Sequence, residues 1–404
     1  MKQKDKVFLG MWIMFAVALF IRFYNHTVMA YDSTMYAFWY KYGFISRGFV
    51  GTLYHVVNKL MPIDMINYEG VLLYTIMVTG VFFILVFWYF VKLVQNSEES
   101  YKETLEYVII FFTFFLIPMF VNRYNFGRLD LYLVAVSLIS SYLIAKEKYE
   151  WMLVPLSMVG IMVHQGYAFM YYNIILVFLV FKILSKEGKE KKKYIRILCV
   201  SLITCIALFL WFELFSHGNS KQYFEEISGE ASYISKDHDY HEDVIDKEIL
   251  GIDLSDREVE YNLMARVSFV FFLLFFSPYI VLGVKFFKDL VKNVAEKKEK
   301  LKYLLVACGS LTLLPLYLFK CDYGRWTFAL ISYYCIAILT LIGAKDTYVS
   351  DTLKSHMLSI KRKKPWAAFL LVYPIMFQPF WDVCVSEWMA TLAGYLNDIV
   401  LHWW

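Results

Sequence analysis

Residues 70–91 read GVLLYTIMVTGVFFILVFWYFV, 22 consecutive positions without a charged side chain. At ~1.5 Å per residue a helix of that length spans the ~30 Å hydrocarbon core of a bilayer. In a helix its backbone N–H and C=O groups also satisfy one another, as a segment in lipid requires. Similar runs recur along the chain. Windows of about 19 residues mark eleven candidate spans, at roughly 7–24, 69–92, 105–121, 129–145, 150–165, 167–184, 195–215, 266–286, 302–320, 326–344 and 365–381. Composition agrees: 59% of the 404 residues are hydrophobic and 19% charged, whereas soluble domains run near ~45–50% and ~25%. These observations exclude a soluble enzyme, a secreted disulfide module and a disordered chain. The expected fold is all-α, a polytopic integral membrane protein with about 11 transmembrane helices in one transmembrane domain, residues 1–404. The first run follows MKQKDK and lacks a small-residue cleavage site, so it reads as a retained anchor.

Lys/Arg placement orients the helices. MKQKDK, KEKYE (146–150), SKEGKEKKKYIR (185–196), the stretch from Lys285 to Lys302, and KRKK (361–364) all fall on one face if eleven helices alternate. That face is cytoplasmic by the positive-inside rule, which puts the N-terminus inside and the C-terminus outside. Two long segments then lie outside: 25–68, with an amphipathic stretch, and the acidic 216–265. Between Lys221 and Glu260 the latter carries thirteen Asp/Glu against four Lys/Arg. Its DHDYHED stretch (237–243) suits either a solvated loop or a hard divalent cation. The six cysteines show no CxxC or zinc spacing. Cys321 and Cys384, the two near the outer face, read as isolated thiols rather than as a disulfide.

The centres of the expected spans hold no Asp, Glu, Lys or Arg, which argues against ion-coupled transport. Polar residues collect instead at outer helix ends, in four clusters. YDSTMYAFWYKYGFISRGFVG (31–51) holds Asp32, Tyr36, Arg47, Gly48 and Gly51; NRYNFGRLD (122–130) holds Arg123, Arg128 and Asp130. HQGY (164–167) holds His164 and Gln165, and CDYGRW (321–326) holds Asp322 and Arg325. A single arginine at a helix end commonly anchors in lipid headgroups, and the Asp322–Arg325 pair reads as a local ion pair. Four outer-face arginines run against the usual inner bias, however. Glycines let backbone approach a ligand closely, and the arginine fork matches phosphate oxygens. The clusters together suggest an anionic ligand at the outer face. The aromatic YAFWYKY segment fits interfacial rings or stacking on sugars.

An Asp just after the first span with a Tyr four residues on (Asp32, Tyr36) resembles the C-type glycosyltransferase fold. The scattered outer arginines resemble O-antigen and capsule repeat-unit polymerases of the Wzy type. Two departures stand out: Ser33, not a second acid, follows Asp32, and no large soluble C-terminal domain is seen. Both resemblances imply transfer or polymerisation of sugars from a polyprenyl-(pyro)phosphate donor at the outer face of the plasma membrane. Arg47, Arg123, Arg128 and Arg325 would bind phosphate, and Asp32, Asp322 or His164 would act as base. Tyr36 and Gln165 would contact substrate. No metal ligand is assigned, although a divalent cation stays open as cofactor. Expected partners are the lipid-linked sugar, membrane lipids and other polysaccharide-assembly proteins, with no nucleic acid. The alternative is a flippase or exporter of lipid-linked glycan. An exporter would also need an inner site for the same headgroup, and the Lys-rich inner loops contain no matching cluster. Other outer-face transferases usually carry a Ser/Thr or His nucleophile constellation, which is not found.

Overall fold

The computed structural model describes residues 28–62, 65–121, 125–216, 225–227, 258–319 and 323–362. Among them every element is helical and no strand occurs. Two short helices come first, α1 (Ala30–Ala37) and α2 (Gly48–Leu60), then α3 (Tyr68–Asn96), α4 (Glu99–Val121) and α5 (Asp130–Lys146). After α6 (Leu153–Val163), the four-residue α7 (Tyr167–Met170) and α8 (Tyr172–Ser185) comes the long α9 (Gly188–Phe215). The order closes with α10 (Glu258–Asn293), α11 (Lys297–Cys308), α12 (Leu314–Phe319), α13 (Tyr323–Gly343) and α14 (Thr347–Arg362).

The nine spans expected between 69 and 344 all fall on these helices, while those at 7–24 and 365–381 lie outside the described residues. The helices are not uniform. Five are long and apolar enough to cross a membrane: Tyr68–Asn96, Glu99–Val121, Gly188–Phe215, Lys297–Leu318 and Gly324–Gly343. The expected span 150–165 is a 3-10 turn followed by α6, which ends at Val163, and 167–184 is broken at Tyr171. The break follows from backbone: Tyr171 has φ −132° and ψ −20°, outside the helical well.

Burial divides the bundle. The apolar windows of α4 and α13 are 81% and 72% buried, against 22% for α9. The first two therefore form the centre and α9 the rim. α13 packs on α3, α4, α5 and α8. Hydroxyls set its register: Ser141 on α5 bonds Thr340 on α13 at 2.6 Å and Tyr89 on α3 at 3.1 Å. Where the surroundings are equally apolar, small side chains and interhelical hydrogen bonds hold helices together. On α3, Leu73, Met77, Val81, Ile84, Leu85 and Trp88 form an exposed stripe at helical spacing, a surface suited to lipid.

Helix ends expected to share the inner face are linked to one another. Glu147 pairs with Lys182 at 2.5 Å and Lys186 at 2.9 Å, and Glu150 with Lys193 at 3.1 Å. Burial alone would raise the Glu147 carboxyl, but the two lysines outweigh it and hold it below the usual value. Across the same end, Lys302 donates to Ser185, Tyr303 to Asp346 and Tyr101 to Asp351. α14 was not expected, because its TYVSDTLKSHMLSIKR sequence is too polar for a span. It buries Val349 and Leu353 against α4, α10 and α13.

α1 and α2 pack as a pair within the outer segment 25–68. α2 is amphipathic, with Val50 and Tyr54 buried and Val56 and Leu60 exposed. The pair closes on Gly51, where an added Cβ would stand 1.6 Å from the Phe38 carbonyl oxygen. Gly80 on α3 has nothing within 4 Å of that position. Gly51→Ala should therefore destabilise the protein by about 1–3 kcal/mol or more, whereas Gly80→Ala should leave it unchanged or gain ~0.5–1 kcal/mol. Unfolding in detergent checks the pair; equal behaviour of the two variants would contradict this packing.

Candidate functional site

The four outer clusters meet at one end of the bundle. Arg325, in the first turn of α13, donates from Nε to Asp130 Oδ2 at 2.7 Å, across 195 positions of chain. The Ser46 hydroxyl donates to Gln165 Oε1 at 2.6 Å, and its N–H donates to Ser216 Oγ at 2.8 Å. The Tyr36 hydroxyl donates to the Gly127 carbonyl at 2.8 Å. Gly127 has φ +99°, and an added Cβ there would lie 3.6 Å from Asp32 Cβ. Asp32 therefore sits beside the 125–128 turn that presents Arg128.

His164 is the meeting point. Its Nδ1 accepts from the Gly166 N–H at 2.8 Å, which leaves the ring proton of the neutral form on Nε2. That Nε2 is buried without a hydrogen-bond partner. Burial, and then the charges of Arg47, Arg325 and Arg128, hold the imidazole well below its ordinary 6.5. Three guanidinium groups from distant segments thus bear on one ring. Arg47 is itself held in the left-handed region, φ 60°, and buried directly ahead of α2.

Helix geometry adds to the positive field. Arg47, Asp130, Tyr171 and Arg325 lie at or beside the N-termini of α2, α5, α8 and α13, whose dipoles present positive ends. Two buried arginines, Arg47 and Arg128, and the partly buried Arg325 gather with two buried acids, Asp32 and Asp130. The buried atoms without a hydrogen-bond partner include, with His164 Nε2, Arg128 Nε, Asp130 Oδ1 and the Tyr171 hydroxyl. Tyr171, at the N-terminus of α8, is 1% exposed. Buried polar atoms normally find partners, and those that do not are expensive. A ligand carrying both anionic oxygens and hydroxyls would satisfy all four. The arrangement can hold a phosphate group and neutralise charge developing on it.

Several sequence expectations change. Arg123, Asp322 and the 237–243 stretch lie outside the described residues. Arg325 pairs with Asp130, an ion pair that the local sequence does not announce. Tyr36 and Gln165 are tied to the 125–128 turn and to Ser46. The glycines beside Arg47 serve chain packing rather than ligand approach: an added Cβ would meet Tyr40 at 3.0 Å at Gly48 and Phe38 at Gly51. Trp39 stacks on His55 at 4.3 Å. Asp130 and Tyr171 had no assigned role. Asp130 reads locally as an acid favouring a helix start, and nothing in the local sequence flags Tyr171. Among the described residues no group of three or more His, Cys, Asp or Glu is placed to hold a metal ion. No protein-family model matches the chain, and no curated protein or solved structure matches it.

The buried neutral imidazole has a thermodynamic consequence. Its lowered proton affinity means the unfolded chain binds a proton that the folded chain refuses below about pH 6.5. The associated stability is present above that pH and is lost as pH falls, at up to ~1.4 kcal/mol per pH unit. The unfolding midpoint should drop between about pH 7 and 5 in the wild type. In His164→Asn, which keeps an acceptor for the Gly166 N–H, the drop should be smaller. An identical pH dependence in both proteins would contradict a neutral His164.

Proposed function

We propose that this chain is a multi-pass plasma-membrane enzyme, with eleven spans and its N-terminus inside. In this reading it transfers or polymerises sugars from a polyprenyl-(pyro)phosphate donor at the outer face during cell-surface polysaccharide synthesis. The observation that carries the proposal is the gathering of buried Arg47 and Arg128, of the Arg325–Asp130 ion pair and of the His164–Gln165 turn, tied to Ser46, at one end of the bundle. Resemblance to C-type transferases and Wzy-type polymerases supports it, as does the apolar helical bundle around the site.

The chemistry follows from the residues. Cleaving a sugar from a lipid phosphate builds negative charge on the departing oxygen. Preorganised donors in a dry site stabilise that charge, each contributing a few kcal/mol. Arg47 and Arg128 supply charge, and Arg325 joins them while bound to Asp130. His164 serves as a neutral donor through Nε2–H rather than as a base, because its Nδ1 is already engaged and the arginines oppose its protonation. A carboxylate must then take the acceptor's proton.

The test uses purified protein in proteoliposomes with a lipid-linked donor. Arg128→Lys keeps the charge but loses the planar fork, so product formation should fall about 10²-fold. An arginine that merely anchors in headgroups would tolerate this exchange. Donor crossing the bilayer without any product would favour the exporter, and wild-type rates in Arg128→Lys would remove Arg128 as a phosphate ligand.

A further inference from the structure

We infer that Asp130, through Oδ1, is the proton acceptor of the transfer reaction and that Arg325 is its positioning residue; this rests on the function proposed above. Asp130 is 1% exposed, and its two oxygens differ. Oδ2 takes the Arg325 Nε–H at 2.7 Å, while Oδ1 is buried with no hydrogen-bond partner. A carboxylate oxygen in that state is costly in the resting protein and calls for a hydroxyl or N–H donor in the working one. A donor phosphate brings only more negative oxygens. Sugars bring hydroxyls, and the hydroxyl that must give up its proton in the transfer is the acceptor's, which is the partner we assign to Oδ1.

Placement agrees. Arg325 touches Asp130 and also bears on His164, so the carboxylate is coupled directly to the phosphate-binding group. Asp32 lies beside Gly127 of the 125–128 turn, where its charge is felt by Tyr36. The Tyr171 hydroxyl, buried and lacking a hydrogen-bond partner, borders the ion pair and offers a second contact for the acceptor.

The step balances. The acceptor oxygen forms a bond to the anomeric carbon while the bond from that carbon to the phosphate oxygen breaks. The electron pair stays on the carrier phosphate among Arg47, Arg128 and His164. The acceptor's proton passes to Asp130 Oδ1, and no oxidant or reductant is needed. Arg325 holds the carboxylate so that Oδ1, rather than Oδ2, meets the hydroxyl.

The experiment compares Asp130→Asn, Asp130→Glu and Asp32→Asn in proteoliposomes, measuring donor binding and product formation separately. Asp130→Asn should bind donor within about threefold of wild type while transfer falls about 10²–10⁴-fold. Asp130→Glu should recover part of the rate with its acid limb displaced in the pH–rate profile, a shift that a purely structural ion pair would not produce. Asp32→Asn should lose less than about tenfold. Wild-type transfer by Asp130→Asn overturns the assignment, as does a complete loss of transfer confined to Asp32→Asn. If Asp130→Asn does not fold, the Asp130→Glu profile decides alone: an acid limb identical to wild type overturns it. Absence of product from the wild type with lipid-linked donors would instead bring down the proposed function itself.

Discussion

The ion pair between Arg325 and Asp130 joins the two helices on which the outer site is built. α13 is among the most buried helices of the bundle, and α5 packs along it. Their N-terminal ends meet in this 2.7 Å contact, and their C-terminal halves are held by the bond between Ser141 and Thr340. Taking two charges out of water is expensive, and a buried pair often does no better for stability than well-packed apolar side chains would. Stability alone is thus a weak reason for this pair. A site needing one fixed guanidinium and one fixed carboxylate oxygen at the same place supplies a stronger one.

The same constraint shapes the surroundings. Arg47, Arg128 and Arg325 repel one another, and the structure offsets that repulsion with two acids and with a histidine kept uncharged. The Gly166 N–H on Nδ1 fixes the tautomer, so His164 presents a donor where the arginines present charge. The helix N-termini at this end reinforce the field. Protonating His164 would add a fourth positive charge, which ties the stability of this end of the bundle to pH. The opposite end is built differently, from the pairs of Glu147 with Lys182 and Lys186 and of Glu150 with Lys193.

Much of the helical layout was legible in the sequence because burial in lipid demands long apolar runs, and 70–91 is such a run. The breaks were less legible. Tyr171 interrupts an apolar stretch without Pro or Gly to mark it, and α14 is hidden by its charge. At the site, Arg47, Arg128, His164 and Arg325 stood out since arginine and histidine are conspicuous at outer helix ends. Their roles were not legible, because the tautomer of His164 depends on a local backbone N–H and its proton affinity on arginines distant in sequence. Asp130 reads in isolation as a favourable first-turn acid; only the fold brings Arg325 to it. Gly48 and Gly51 were misleading for a related reason, since a glycine that admits a ligand and one that admits a neighbouring carbonyl look alike in sequence.

The most direct measurement is a dipolar recoupling experiment by solid-state NMR between the phosphorus of a bound lipid-linked donor and 15N-labelled histidine and arginine side chains. His55, also buried, serves as the internal control, and His164→Asn assigns the signal. A donor held by Arg47, Arg128 and Arg325 would couple strongly to His164 Nε2, with a protonated Nε2 and an unprotonated Nδ1 in the nitrogen spectrum. Bound donor with no phosphorus coupling to His164, or a doubly protonated imidazole at neutral pH, would contradict an anion site at this end of the bundle.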